Sequence, residues 1–259
     1  MGNSNSKDTP LHAMNPLSRF SNRAEDYAKY RPNYPDAAID IILKGLGNSS
    51  QLVAADIGAG TGISSRLLAQ RGVNAIAIEP NAAMREAASP HSLVEFRDGT
   101  AEVTNLPNAS VDLVTCFQSF HWFNPEPTLL EFRRILRPRG RLAVVWNDRD
   151  QNDQFTANYS RLVEIASNNH PAEKRMVSVA PLLSSPHFPD VQCHTFEYQQ
   201  QLDLEGLIGR VNSVSYIPKE GEAYQQLVTD LQELYASACN EHGYVYLTYT
   251  TNVYLADNG

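Results

Sequence analysis

Cysteine is scarce in this chain of 259 residues: Cys116, Cys193 and Cys239 are all there are. They are odd in number, far apart and form no C-x-x-C pair. That excludes a disulfide-stapled fold and a cysteine zinc site, and such thiols fit a reducing, cytoplasmic setting. No apolar run reaches the roughly 18 residues that a membrane-spanning helix needs. Residues 1–16 hold no apolar signal core, so no secretory leader and no membrane partner are expected. Positive charge is short as well: 21 Lys and Arg stand against 29 Asp and Glu, for a net −8. A protein that grips nucleic-acid phosphates normally has the opposite balance, so no nucleic-acid partner is expected. The seven histidines show no ligand spacing, and no metal site is expected.

What is present is ordinary globular text: 42% hydrophobic and 19% charged residues, against disorder. Residues 1–18 read as a disordered tail; Met1-Gly2-Asn3-Ser4-Asn5-Ser6 fits an acylation pattern on paper but reads as flexible chain. Residues 19–259 read as one domain, with a core at 36–150 and cap segments at about 149–190 and 203–242. Phe20, Tyr27, Tyr30 and Tyr34 fall at helical offsets, and Pro32 and Pro35 stop that helix. A helix is expected at 36–46. Short apolar runs at 52–57, 73–78, 93–97, 111–117 and 142–146 read as buried strands. Helices are expected at 64–70, at 81–88 and behind Asn124-Pro125, the last ending at Pro138 and Gly140. Buried strands alternating with helices mean a parallel sheet covered on both faces. Beyond 150 the rhythm breaks: helices are expected at 153–167, 203–213 and 221–240, a strand at 191–198, and a strand or hairpin at 244–254.

Chemistry concentrates at Asp56-Ile57-Gly58-Ala59-Gly60-Thr61-Gly62, where the first strand meets the next helix. Ligands bind at such junctions in open α/β sheets. Glycine lets the main chain approach a ligand closely, and the helix N-terminus offers free N–H groups. Glu79, at the end of the second strand, can accept both hydroxyls of a ribose. A dinucleotide fingerprint would place its third glycine at 63, where Ile63 stands; the third glycine is Gly62. No Gly-Lys-Ser/Thr follows, which excludes a P-loop.

On these residues the chain resembles the class I S-adenosylmethionine-dependent methyltransferases, and within them the small-molecule, trans-aconitate methyltransferase-like subgroup. The resemblance is clear over about 20–150 and fainter beyond. It implies a doubly wound, mostly parallel, seven-stranded α/β sheet with helical cap insertions, S-adenosylmethionine as cofactor, and a small-molecule methyl acceptor as partner. By resemblance, Asp56, Gly58, Ala59, Gly60 and Gly62 line the methionine part of the cofactor and Glu79 holds the ribose. Pro80 and Met84 pack on the adenine. Gly99-Thr100-Ala101-Glu102 matches the adenine loop. Many members carry aspartate where Thr100 stands, so the Ala101 N–H would serve there. Gln118 matches a position that meets the methionine end, and Tyr27 and Arg31 belong to an entrance segment folding over the cofactor.

His121 is the candidate catalytic residue. It reads either as general base or substrate contact, or as packing among aromatics. Gln118-Ser119-Phe120-His121 replaces the Asn/Asp-Pro-Pro-Tyr/Phe run of nucleobase amino-methylating enzymes. Tyr27, Tyr30, Tyr34, Phe120, Trp122 and Phe123 are expected at the mouth, and Leu207, Val211, Val214 and Tyr216 around the acceptor. Leu227, Leu231, Leu234 and Tyr235 read as plain helix core. Two other readings stand beside methyl transfer: an NAD-dependent oxidoreductase, and a non-catalytic cofactor-binding relative.

Overall fold

The computed structural model describes residues 21–168, 170 and 179–258. The expected tail, Phe20 and part of the 149–190 segment lie outside these residues. The strands are β1 (Val53–Ile57), β2 (Asn74–Ile78), β3 (Val94–Arg97), β4 (Val111–Phe117), β5 (Leu136–Arg149), β6 (Gln192–Leu202) and β7 (Val245–Asp257). They form one sheet in the order β3-β2-β1-β4-β5-β7-β6. The first five are parallel, and β7 runs antiparallel to both β5 and β6. The seven-stranded, mostly parallel α/β sheet is therefore as expected, and the cap is bonded into it through β7.

The helices are α1 (Ala24–Tyr30), α2 (Asp36–Leu43), α3 (Ile63–Gln70), α4 (Ala82–Glu86), α5 (Pro125–Ile135), α6 (Gln154–Ala166), α7 (Ala180–Leu183), α8 (Leu204–Asn212) and α9 (Glu222–Ala238). Polar caps start several of them: Asp153 accepts from Thr156 N–H at the head of α6, and Asp203 from Gly206 N–H at the head of α8. Such caps supply partners for first-turn N–H groups. β3, expected as a buried strand, lies at the sheet edge with Glu95 and Arg97 exposed, whereas β1, β4 and residues 142–146 of β5 are buried on both faces. One face packs on a cluster with Phe132, Trp146 and Phe188, the other on one with Ile39, Ile42 and Leu68. A third cluster fills the cap, built on Tyr159, Leu207, Leu227, Leu231 and Tyr249. No helix among the described residues is long and apolar enough to cross a membrane.

The junction of α5 and β5 differs from expectation. The helix behind Asn124 stops at Ile135, because the carbonyls of Arg134 and Ile135 are taken by Ala109 and Ser110 N–H. The chain turns at once into β5, which is 14 residues long and pairs Leu136 with Val111 before a register shift. Pro138 and Gly140 therefore lie in an irregular strand start, not at a helix end. The closing segment, expected as a strand or hairpin, is one long strand.

Candidate active site

The glycine loop leaves β1 beside β4, where strand order reverses. Gly58, Gly60 and Gly62 all have positive φ, at 66°, 58° and 72°. A side chain at Gly58 would also collide, its Cβ lying 2.8 Å from Ser119 Cβ. Gly62 caps α3 in the left-handed region, with its missing Cβ 2.6 Å from the Phe96 ring. Spacing 58-60-62 thus serves the turn itself. Asp56 points away from the crevice. Its carboxylate accepts from Ser64 and Ser65 hydroxyls at 2.6 Å each and from Thr115 at 2.8 Å. It ties β1 to β4 and α3. Burial raises its pKa, and the three hydroxyls pull the other way.

Glu79 is 8% exposed. Gly60 N–H donates to one carboxylate oxygen and Asn81 N–H to the other, both at 2.9 Å. Each oxygen keeps capacity for a further bond. Burial raises this carboxyl's pKa, opposed by those two N–H groups. Met84 is buried on α4, its Cε 3.2 Å from where a Gly60 Cβ would stand, and Tyr27 Cε1 lies 3.6 Å from the same point. Loop, acid, Met84 and Tyr27 therefore converge. Pro80 follows Glu79 directly and is partly buried. In the next loop Ala101 is buried, and the Thr100 hydroxyl accepts from Val103 N–H at 3.2 Å.

Tyr30 ends α1, and Arg31 before Pro32 is extended (φ −66°, ψ 142°), as the residue before proline prefers. The turn lays the Arg31 guanidinium 4.6 Å from the Tyr27 ring centroid. Gln118 sits at φ 53° just past β4, and its amide donates to Asn147 O at 2.9 Å. His121 lies in the one-turn helix Phe120–Trp122, and its Nδ1 accepts from Trp146 Nε1–H at 3.4 Å. Burial, and then Arg31, lower its pKa to about 3. The neutral ring therefore carries its proton on Nε2.

Residues 55–144 match the family described as methyltransferase domain. An uncharacterized methyltransferase of Mycobacterium tuberculosis is 34% identical over 200 residues, covering 76% of each chain. One from Schizosaccharomyces pombe is 30% identical over 223 residues, covering 84% of this chain and 86% of its own. The chain belongs to the S-adenosylmethionine-dependent methyltransferases. In fold it is similar to a protein of Anaeromyxobacter dehalogenans provisionally assigned as a type II methyltransferase. That likeness has a TM-score of 0.67 at 23% identity, covering 88% of this chain and 98% of the other.

Several side chains of this methyltransferase are not where the sequence suggested. Phe120 and Tyr34 are core rather than mouth. Phe120 packs edge-on against Trp146, and Tyr34 against Phe117 at 4.7 Å. Leu207, Val211 and Val214 are buried with Leu227 and Leu231 inside the cap. Sequence reasoning missed the arginines of the same region. Arg210 on α8 is buried, and Arg149 at the end of β5 lies 5.6 Å from the ring centroid of buried Tyr159 on α6. Arg210 had a signal: with Leu207, Val211 and Val214 it falls on the apolar stripe of its helix.

Proposed function

We propose that this methyltransferase is one unit over residues 19–259 that moves a methyl group from S-adenosylmethionine to a small-molecule acceptor. The observation that carries the reading is the Gly60–Glu79 pair. A buried carboxylate is aimed by the N–H of a loop that has no room for side chains. Its two oxygens, each with one bond made, fit a ribose diol. Gly58, Ala59, Gly60 and Gly62 would lie along the methionine part, with Asp56 bracing them from behind. Pro80 and Met84 offer apolar surface to the adenine, and Ala101 N–H reaches its edge while Thr100 holds the loop shape. Gln118 flanks the methionine end. Tyr27 covers the crevice, and Arg31 offers its guanidinium to the cofactor carboxylate. When bound, the cofactor supplies an electrophilic methyl on a sulfonium.

The chain's own work is to position the acceptor in line and keep water out. His121 suits orientation rather than proton removal. Its Nδ1 lone pair is engaged by Trp146 and its Nε2–H is a donor, so it presents no free basic nitrogen. The acceptor would then arrive already deprotonated. The family assignment removes support from the hydride-transfer reading, and the net charge of −8 weighs against a nucleic-acid acceptor.

Calorimetry with S-adenosylhomocysteine tests the cofactor site. Micromolar binding is expected. Replacing the Glu79 carboxylate (Glu79→Gln) removes charge-assisted hydrogen bonds worth about 1.5–3 kcal/mol, an affinity loss of about 10- to 100-fold. No heat from the folded wild-type protein with either cofactor form would overturn the proposal.

A further inference from the structure

Val145 of β5 pairs with Phe117, the last residue of β4. From there to Arg149, β5 pairs only with β7 among the described residues. This is the carboxyl end of the parallel strands, where ligands sit in open α/β folds. Asn147 stands on that stretch and is 7% exposed. Its side-chain N–H₂ donates to the Asn33 carbonyl at 2.9 Å, and its Oδ1 accepts from the Thr251 hydroxyl at 2.6 Å. Its own carbonyl accepts from the Gln118 amide at 2.9 Å. Thr251 is its register partner on β7 and is fully buried. Asn33 lies in the entrance segment, between Pro32 and Pro35.

The direction of these bonds is forced. A backbone carbonyl only accepts, so the Asn147 amide must turn its N–H₂ to Asn33 and its oxygen to Thr251. The Thr251 hydroxyl must then donate. Any other arrangement leaves a buried polar group unpaired, which is costly. The entrance segment forms no helix or strand of its own between its two prolines. Its carbonyls therefore depend on donors from elsewhere in the fold. Gln200 supplies one, to Tyr30 at the end of α1. Asn147 supplies the next, three residues further on.

We infer that Asn147 is a positioning residue for methyl transfer. Through Asn33 it holds the entrance segment, and so Tyr27 and Arg31, closed over the cofactor crevice. The inference rests on the cofactor reading of the glycine loop. Both amide atoms of Asn147 are engaged within the protein, so its side chain acts through the segment it pins. Its carbonyl holds Gln118 as well, so one wall of the crevice and its cover share an anchor. A cover ordered before the cofactor arrives lowers the entropy lost on binding and slows release.

Asn147→Asp tests this in the full-length protein with almost no change of shape. It keeps the acceptor for Thr251 and sets an oxygen, in place of a donor, against the Asn33 carbonyl. Affinity for S-adenosylhomocysteine, by calorimetry, is expected to fall about tenfold or more, mostly through faster release. Hydrogen exchange over residues 24–34 should speed up while β1 and β4 exchange as in wild type. Thr251→Val removes only the orienting hydroxyl and adds no charge. It should give a smaller loss in the same direction, and it stands in if Asn147→Asp does not fold. A double-mutant cycle with Tyr27→Ala separates positioning from general weakening. Once the Tyr27 cover is gone, the change at 147 should lower affinity by a much smaller factor than it does alone. Wild-type affinity in the folded variants overturns the role, as does an equal loss with and without Tyr27. So does faster exchange spread evenly over the sheet. If wild type binds no S-adenosylhomocysteine, the cofactor reading has failed. Exchange over 24–34 in the unloaded variant against unloaded wild type then decides the pinning by itself, and unchanged protection overturns it.

Discussion

Gly209 offers a sharp test of how α1 closes over the cofactor crevice. It lies inside α8, and a Cβ there would stand 2.3 Å from the Tyr30 ring. Two effects of Gly209→Ala oppose each other. Alanine in a helix interior is favoured over glycine by about 0.5–1 kcal/mol. The clash falls far inside van der Waals contact, and overpacking of this kind costs about 1–3 kcal/mol. Tyr30 has little freedom to slide, since its hydroxyl donates to Glu205 at 2.7 Å. The cheapest relief is to release α1, a helix of only seven residues, and keep the gain in α8. Release also gives up the hydrogen bonds of Tyr30 and Arg31, so thermal stability should fall modestly. Release of α1 carries away Tyr27 and Arg31, so S-adenosylhomocysteine affinity should fall by about 5- to 150-fold, the equivalent of about 1–3 kcal/mol. Combining the change with Tyr30→Ala should give a clearly positive coupling, read by calorimetry over the four members of the cycle. Unchanged affinity in Gly209→Ala, alongside a higher melting temperature, would refute the idea that α1 docking governs the crevice.

Two further outcomes follow from the titratable groups. Asp56 holds its proton more tightly folded than unfolded, because burial raises its pKa above 3.8. The native state then binds more protons, so the Asp56 contribution to stability falls as pH rises from its ordinary range through the raised native value, and is flat beyond. Asp56→Asn should remove that slope in denaturant titrations, leaving the like-signed slope of Glu79, and cost about 1–3 kcal/mol near neutrality by turning an amide N–H₂ towards hydroxyl donors; an unaltered difference profile would count against it. His121, neutral above about pH 3, should leave no inflection of its own in the rate profile near neutrality. His121→Asn keeps an acceptor for Trp146 and should lower kcat by less than about tenfold, whereas a loss of about 10²–10⁴-fold would mark a general base.

The half of the molecule legible in the sequence is the half whose signals are local. Asp56 through Gly62 occupy seven consecutive positions, Glu79 ends the next strand, and continuous apolar runs mark parallel strands whatever the rest of the chain does. The α5–β5 junction was misread for an equally physical reason. Proline and glycine at 138 and 140 stop a helix in general, but here two loop N–H groups had already taken the last carbonyls. Phe120 and Tyr34 were misplaced because an aromatic near a site and an aromatic beneath it have the same spacing.

The arginines of the cap are a different case. Arg31, Arg149 and Arg210 come from the turn after α1, the end of β5 and α8, and no periodicity links them. They meet because β7 pairs with β5 from Arg141 to Arg149 and with β6 along its whole length, folding the cap back over the strand ends. Gln200 fastens that wing to the entrance segment: its amide donates to the Tyr30 carbonyl at 2.9 Å, and its oxygen accepts from Tyr249 at 3.2 Å. The one local clue is a charge on the apolar face of α8. A cation there must find its partners inside the protein, and Arg210 donates to the Ser213 hydroxyl at 3.3 Å. The glycine loop is written in seven consecutive residues; the interior of the cap is written in the packing of three distant elements, and only their assembly shows it.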